Sequence, residues 1–105
     1  MRLDERVWAF VSKVPEGKVT TYGEIAKALG TKAFRAIGGA LSRNPTPIVV
    51  PCHRVVKSNG GIGGFFGKKR LISKKRELLE KEGIRFKERS DGLYVDDFKR
   101  MLFRF

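Results

Sequence analysis

The sequence predicts a mainly α single domain with short β strands, arranged as a winged helix-turn-helix over residues 1–105. Three observations predict it. Apolar residues recur at helical spacing in four separate segments. Two of those segments are joined by a tight turn at Gly30, the mark of a helix-turn-helix. Two short apolar runs flank Asp91-Gly92, a hairpin signal. A chain of 105 residues with no internal repeat, low-complexity tract or long linker suits one modest core.

The first helix is expected from about Leu3 to Val14, because Leu3, Val7, Phe10, Val11 and Val14 fall on one face. Pro15-Glu16-Gly17 ends it, and Lys18-Val19-Thr20 reads as a short extended link. Thr21-Tyr22-Gly23-Glu24 has the pattern of a capping box, in which hydroxyl and carboxylate each satisfy a free backbone donor. The helix it opens buries Ile25, Ala26 and Leu29, and Gly30 stops it. A third helix runs from Thr31 to about Arg43, with Phe34, Ile37 and Leu41 inward.

Asn44-Pro45-Thr46-Pro47 reads as a rigid turn, and Ile48-Val49-Val50 as a short buried strand that delivers Cys52 at its end. Ser58-Asn59-Gly60-Gly61 is a turn, and Gly63-Gly64-Phe65-Phe66-Gly67 a flexible loop with two aromatics. A fourth helix spans about Leu71 to Glu82 and closes at Gly83. Ile84–Phe86 and Leu93–Val95 pair as a hairpin, and Asp96–Phe103 forms a short terminal helix. The aromatic tail, with Phe98, Leu102, Phe103 and Phe105, packs either on the core or on a partner.

The formal charge is +12, and its distribution says more than its size. From Ile25 to Arg76 there are twelve Lys or Arg and no Asp or Glu. Such a one-sign field suits a polyanion, most simply nucleic acid. Gly38 and Gly39 stand inside the third helix, where each costs about 1 kcal/mol relative to Ala. Either this face packs closely against another helix, or it is kept bare for a DNA backbone or groove floor. Arg35, Gly38 and Ser42 share one face, which favours the second reading.

One cysteine excludes an intramolecular disulfide and a cysteine-based zinc cluster, and fits a reducing compartment. The chain has no apolar run of membrane-spanning length, and Met1-Arg2-Leu3-Asp4-Glu5 does not read as a signal peptide. The expected location is therefore intracellular, in the cytoplasm and nucleoid or in the nucleus, with no membrane partner.

The most informative stretch is Pro51-Cys52-His53-Arg54-Val55, which puts the only cysteine beside the only histidine. A lone cysteine is usually a small buried hydrophobe and a lone histidine structural. A reactive thiol needs a base or a positive field. His53 offers the base, and Arg54 and Lys57 offer the field. On the fourth helix Ile72, Lys75, Leu79 and Glu82 form one stripe, so Glu82 lies on the apolar side and at a helix C-terminus. That is unfavourable for an unpartnered carboxylate. Either Glu82 frays into water, or it accepts a hydrogen bond from His53 and completes a Cys–His–Glu relay.

Pro-Cys-His-Arg-Val, preceded by Asn44-Pro45 and by Arg35-Ala36-Ile37-Gly38-Gly39-Ala40, resembles the O6-alkylguanine-DNA alkyltransferases from about Val7 to Gly83. The resemblance implies a catalytic and DNA-binding domain alone, without the N-terminal domain of longer members. It implies a helix-turn-helix in the minor groove of duplex DNA carrying O6-alkylguanine, with the damaged base rotated into a pocket. Cys52 would take the alkyl group once, as a thioether, in a reaction that needs no metal and no organic cofactor. His53, through a water, and Glu82 match the activating partners. Asn44 matches the asparagine that ties the recognition helix to the active-site turn. Tyr22 matches the tyrosine that assists rotation and neutralises charge on guanine.

Arg35 matches the arginine that fills the gap the base leaves, with Lys32, Ala36, Gly38 and Ser42 as further DNA contacts. Val55, Phe65, Phe66, Gly67 and Lys75 match the pocket, where backbone carbonyls at Cys52 and Val55 would accept from the guanine amino group. Two positions depart: the family usually has Tyr where Phe65 stands and a small or polar residue where Phe66 stands. The departures bear on rate and on the alkyl size tolerated. The implied protein is a monomer. Two other readings remain: a lesion sensor that binds alkylated guanine without repairing it, as short relatives lacking the cysteine do, and a helix-turn-helix regulator with structural Cys and His.

Overall fold

The computed structural model describes residues 2–46, 49–63 and 72–105. Its order is α1 (Leu3–Val11), β1 (Thr20–Thr21), α2 (Tyr22–Leu29), α3 (Phe34–Ser42), a 3-10 turn (Cys52–Arg54), β2 (Val55–Val56), α4 (Ile72–Lys81), β3 (Phe86–Arg89), β4 (Gly92–Val95) and α5 (Phe98–Met101). This is the mainly helical domain with short strands that the sequence predicts.

Helix α1 stops at Val11, three residues early, because the backbone tightens there: the Lys13 and Val14 amides reach back only three residues, to Phe10 and Val11. Val14 still points inward. Helix α2 starts as expected, with the Thr21 hydroxyl accepting from the Glu24 amide at 3.0 Å. The reciprocal half of the box is different. Thr21 lies in the β1 ladder, and the Glu24 carboxylate stands 3.6 Å from Arg104. Gly30 ends α2 at φ 70°, a conformation that glycine adopts without a Cβ penalty.

Helix α3 begins at Phe34, not Thr31, because residues 31–33 form a turn in which the Thr31 hydroxyl accepts from the Ala33 amide at 3.1 Å. Phe34 consequently does not face inward; it is 51% exposed, whereas Ile37 and Leu41 are buried as predicted. Two contacts lash α3 to α1. The Trp8 indole donates to the Ala40 carbonyl at 2.8 Å, and Arg43 grips Asp4 with two bonds of 2.7 and 2.9 Å. Arg43 holds the Asp4 carboxyl below its ordinary pKa.

The predicted strand at Ile48–Val50 is absent from its described part: Val49 is 79% exposed, and Ile48 lies outside the described residues. Its place is taken by a turn built on Asn44. Strand β2, which follows the cysteine, pairs in parallel with β1, Thr20 opposite Val55 and Thr21 opposite Val56. Helix α4 covers most of its expected span; Leu71 falls outside the described residues. The hairpin's first strand starts two residues later than expected, because Ile84 turns into the core, while its second covers the expected Leu93–Val95; Phe86 pairs with Val95 and Arg89 with Gly92.

The terminal helix is a single turn, after which the tail returns to the core. Val19 donates to the Met101 carbonyl at 3.0 Å and accepts from the Phe103 amide at 2.7 Å. Phe105 meets the edge of Phe10. Two clusters result. Val7, Val11, Ile25, Ile37 and Leu41 pack around Cys52, while Val19, Val56, Leu79, Ile84 and Val95 pack beneath the hairpin and α5. Each such buried side chain contributes about 1.5–3 kcal/mol. The thiol thus sits where α1, α2 and α3 converge. Among the described residues, no helix is long and apolar enough to cross a membrane.

Candidate active site

Asn44 builds the approach to the cysteine. Its carbonyl oxygen accepts from the Thr46 amide at 3.0 Å, and its amide nitrogen donates to the Val50 carbonyl at 2.8 Å. The same side chain reaches the Cys52 thiol. Asn44 therefore joins the end of α3 to the turn that presents Cys52. The 3-10 turn then stacks Cys52, His53 and Arg54 in one tight loop, with the Val55 amide donating back to the Cys52 carbonyl.

His53 is wholly buried. Its Nε2 lies 2.9 Å from Glu82 Oε2. Glu82 follows α4 directly and does not fray into water; Arg54 clamps it through Nε at 2.9 Å and Nη2 at 2.7 Å. A third Arg54 nitrogen donates to the Val14 carbonyl at 2.8 Å. Burial pushes the Glu82 carboxyl up, but the hydrogen bonds from Arg54 and His53 outweigh it, and the net pKa falls. Glu82 is therefore an anion and can only accept. Burial also lowers His53 below its ordinary 6.5, against the pull of Glu82, with Arg54 and Lys75 adding to the fall. A neutral ring must then carry its hydrogen on Nε2, toward Glu82. The lone pair is left on Nδ1, which is buried and has no partner among the described residues. An imidazole held so is ready to take a proton.

The positive field at the thiol differs from the sequence expectation. Arg54 is committed to Glu82 and Val14, and Lys57 is exposed. Among the described residues, the cation that acts on Cys52 is Lys75, which is 1% exposed and donates to the Val55 carbonyl at 2.6 Å. Burial lowers the Lys75 pKa to about 8, and Cys52 works against that fall. The Val55 carbonyl, expected to accept from the guanine amino group, thus already has a donor. Burial pushes the Cys52 thiol above its ordinary value, and Asn44 and Lys75 only moderate the rise. The resting group at neutral pH is a thiol, so the flank's positive field does not by itself ionise it. Tyr22 is half-buried against the same cluster, and burial together with Cys52 raises its pKa, so its phenol keeps its proton.

The DNA-contact candidates lie on a different surface. Arg35 and Lys32 are exposed and, among the described residues, have no side-chain hydrogen bond or ion pair. Ala36 is half-buried. At Gly38 an added Cβ would meet nothing within 4 Å among the described residues. Ser42 is exposed, and its hydroxyl donates to the Gly38 carbonyl at 3.1 Å. Phe65, Phe66 and Gly67 lie outside the described residues. The sequence reading missed Lys75 as the thiol's cation and Arg54 as the clamp on Glu82. The first was visible as a lysine on the apolar stripe of α4.

Among the described residues, no group of three or more His, Cys, Asp or Glu could hold a metal ion.

A family model described as 6-O-methylguanine DNA methyltransferase, DNA binding domain, matches residues 2–84. The chain belongs to this family. It is 46% identical over 95 residues to a methylated-DNA–protein-cysteine methyltransferase of Candida glabrata, covering 90% of this chain and 44% of the relative. It is 50% identical over 82 residues to that of Saccharolobus solfataricus, covering 78% and 51%. The chain spans about half the length of these curated relatives.

Among solved structures it is similar over 99% of both chains to S. pombe Atl1 in complex with damaged DNA containing O6-carboxymethylguanine, with TM-score 0.82 and 32% identity. It also resembles Mycobacterium tuberculosis OGT in complex with DNA, with TM-score 0.70 and 42% identity over 78% of this chain and 50% of that one.

Proposed function

We propose that this domain removes an alkyl group from O6-alkylguanine in duplex DNA by moving it, once, to Cys52. The observation that carries the reading is the buried His53 Nδ1: a lone pair without a partner among the described residues, on a ring turned by Glu82, in the residue next to the thiol. A structural histidine would use both nitrogens.

The step balances as follows. A bond forms between Cys52 Sγ and the alkyl carbon, and the bond from that carbon to guanine O6 breaks, its electron pair going to the purine. The thiol proton passes to His53 Nδ1, directly or through a water, and Glu82 stabilises the imidazolium. Lys75 stabilises the thiolate as it develops. Tyr22, still a phenol, supplies a proton to the leaving guanine, and the imidazolium then returns its proton to the Tyr22 phenolate through solvent. The net change is thiol plus O6-alkylguanine to thioether plus guanine. Thiol exchange does not reverse a thioether, so each chain acts once.

Arg35, Lys32, Ala36, Gly38 and Ser42 present the exposed face of α3 to the duplex, and Arg35 occupies the space the extruded base leaves. The acid-free stretch around them makes binding fall with salt. We assign the work to this domain as a monomer, acting inside the cell.

The full-length likeness to Atl1 favours a second reading, in which the domain recognises the lesion and leaves it in place. The test is a duplex with one radiolabelled O6-methyl group. The proposal expects the label on the protein at no more than one per chain, with the duplex restored to guanine. Tight lesion binding with all label left on the DNA overturns it in favour of the second reading.

A further inference from the structure

We infer that Phe34 is a second wedge beside Arg35, entering the base stack next to the gap left by the extruded nucleotide. The inference rests on the DNA reading above and adds a residue to it.

Phe34 is a large apolar side chain that the fold leaves half exposed. Helical spacing directs it inward, yet it is half exposed at the first residue of α3. Its backbone is held by short-range bonds: its amide donates to the Lys32 carbonyl at 2.8 Å, and the preceding amide is held by Thr31. The ring is therefore presented from a turn of set geometry. One helical turn on, Gly38 leaves open space, and the ring does not fold down to cover it. Phe34, Arg35 and Gly38 together make a bare patch with an aromatic, a cation and a flat floor, inside 52 residues without an acid.

A polyanion with a stack that can be opened fits that patch. Phe34 and Arg35 both border Gly38, four and three residues on, so the two side chains flank one bare patch of α3. Proteins that approach the minor groove insert apolar side chains between bases, and an aromatic ring stacks on any base. Arg35 supplies charge and length to fill the void; Phe34 supplies the flat face that holds the neighbouring base pair open.

The readout is the rate of transfer from an O6-methylguanine duplex divided by the rate with free O6-benzylguanine, which has no stack to enter. Phe34→Ala should lower this ratio about tenfold. Phe34→Trp should keep it, and the indole introduced there should be quenched more by the lesion duplex than by an undamaged one, after subtraction of the Trp8 background. An unchanged ratio in Phe34→Ala overturns the wedge. So does loss of self-association in that variant with the ratio intact, which would make the ring a contact between two copies.

The two layers can be told apart. If the native protein binds lesion duplex without transfer, the repair reading falls. The wedge is then judged on the preference for lesion over undamaged duplex, with the same tenfold drop expected in Phe34→Ala. If the native protein binds no duplex, both fall.

Discussion

The face of α3 and the cluster beneath it hold positive charge in opposite ways. On α3, Arg35 and Lys32 stand in water, with no side-chain partner among the described residues. Beneath, Arg54 spends three nitrogens on Glu82 and Val14, and Lys75 is buried against the Val55 carbonyl. Charge on the surface acts at long range and is screened by salt. Charge in the cluster acts on one thiol and one imidazole, and its removal leaves partners stranded. On the proposed function the difference separates binding from chemistry, and substitutions in the two regions should fail differently.

The largest effect is expected at Glu82. Glu82→Ala leaves Arg54 and the His53 ring without their acceptor, so it should lower stability by about 3–5 kcal/mol in denaturant unfolding. A loss below 1 kcal/mol would mean the clamp is ornamental.

The pH profile of transfer comes next. Burial keeps the imidazole below its ordinary 6.5, so the base form persists at neutral pH and the acid limb lies under 6.5. Lys75 loses its proton at about 8, and burial keeps Cys52 a thiol above that point. The rate should therefore be level from about 6.5 to about 8 and then fall as the ammonium is lost. A rate that climbs steadily through 8 and toward the ordinary thiol value of 9 would point to a preformed thiolate instead.

Smaller effects belong to α3. Arg35→Ala should weaken duplex binding without loss of fold, and it should reduce the slope of log affinity against log salt by about 1. An unchanged slope would take Arg35 off the interface. The smallest effect is the most discriminating. Gly38 has open space where a Cβ would go, so Gly38→Ala should stabilise the fold by about 0.5–1 kcal/mol in thermal unfolding. On the DNA reading the same change weakens duplex affinity. A gain in stability with no loss of affinity would leave the mid-helix glycine unexplained.

The two regions were also unequally legible in the sequence. The elements of the helix-turn-helix were readable because caps and periodicity are local: Thr21 caps α2 and Gly30 ends it as written. The His53–Glu82 pair was half readable. Glu82 on an apolar stripe demanded a partner, but only packing could show that the partner is Arg54 as well as His53. Lys75 was on the page as a lysine in that stripe, yet its burial depends on β2 lying beside it, which no local pattern encodes.

Phe34 and Val49 were misread for the opposite reason. Their apolar character fitted a core, but turns at Thr31 and Asn44 moved them to the surface. The neutral thiol could not be anticipated either. Basic neighbours in sequence suggest a lowered pKa, while burial acts the other way and is stronger.

The most direct test of the central claim is peptide mapping by mass spectrometry after incubation with an O6-methylguanine duplex. The account predicts one added methyl on the peptide that contains Cys52, no second addition at excess DNA, and none anywhere in Cys52→Ala. An unmodified Cys52 peptide at saturating duplex, with the protein folded and bound, would contradict it.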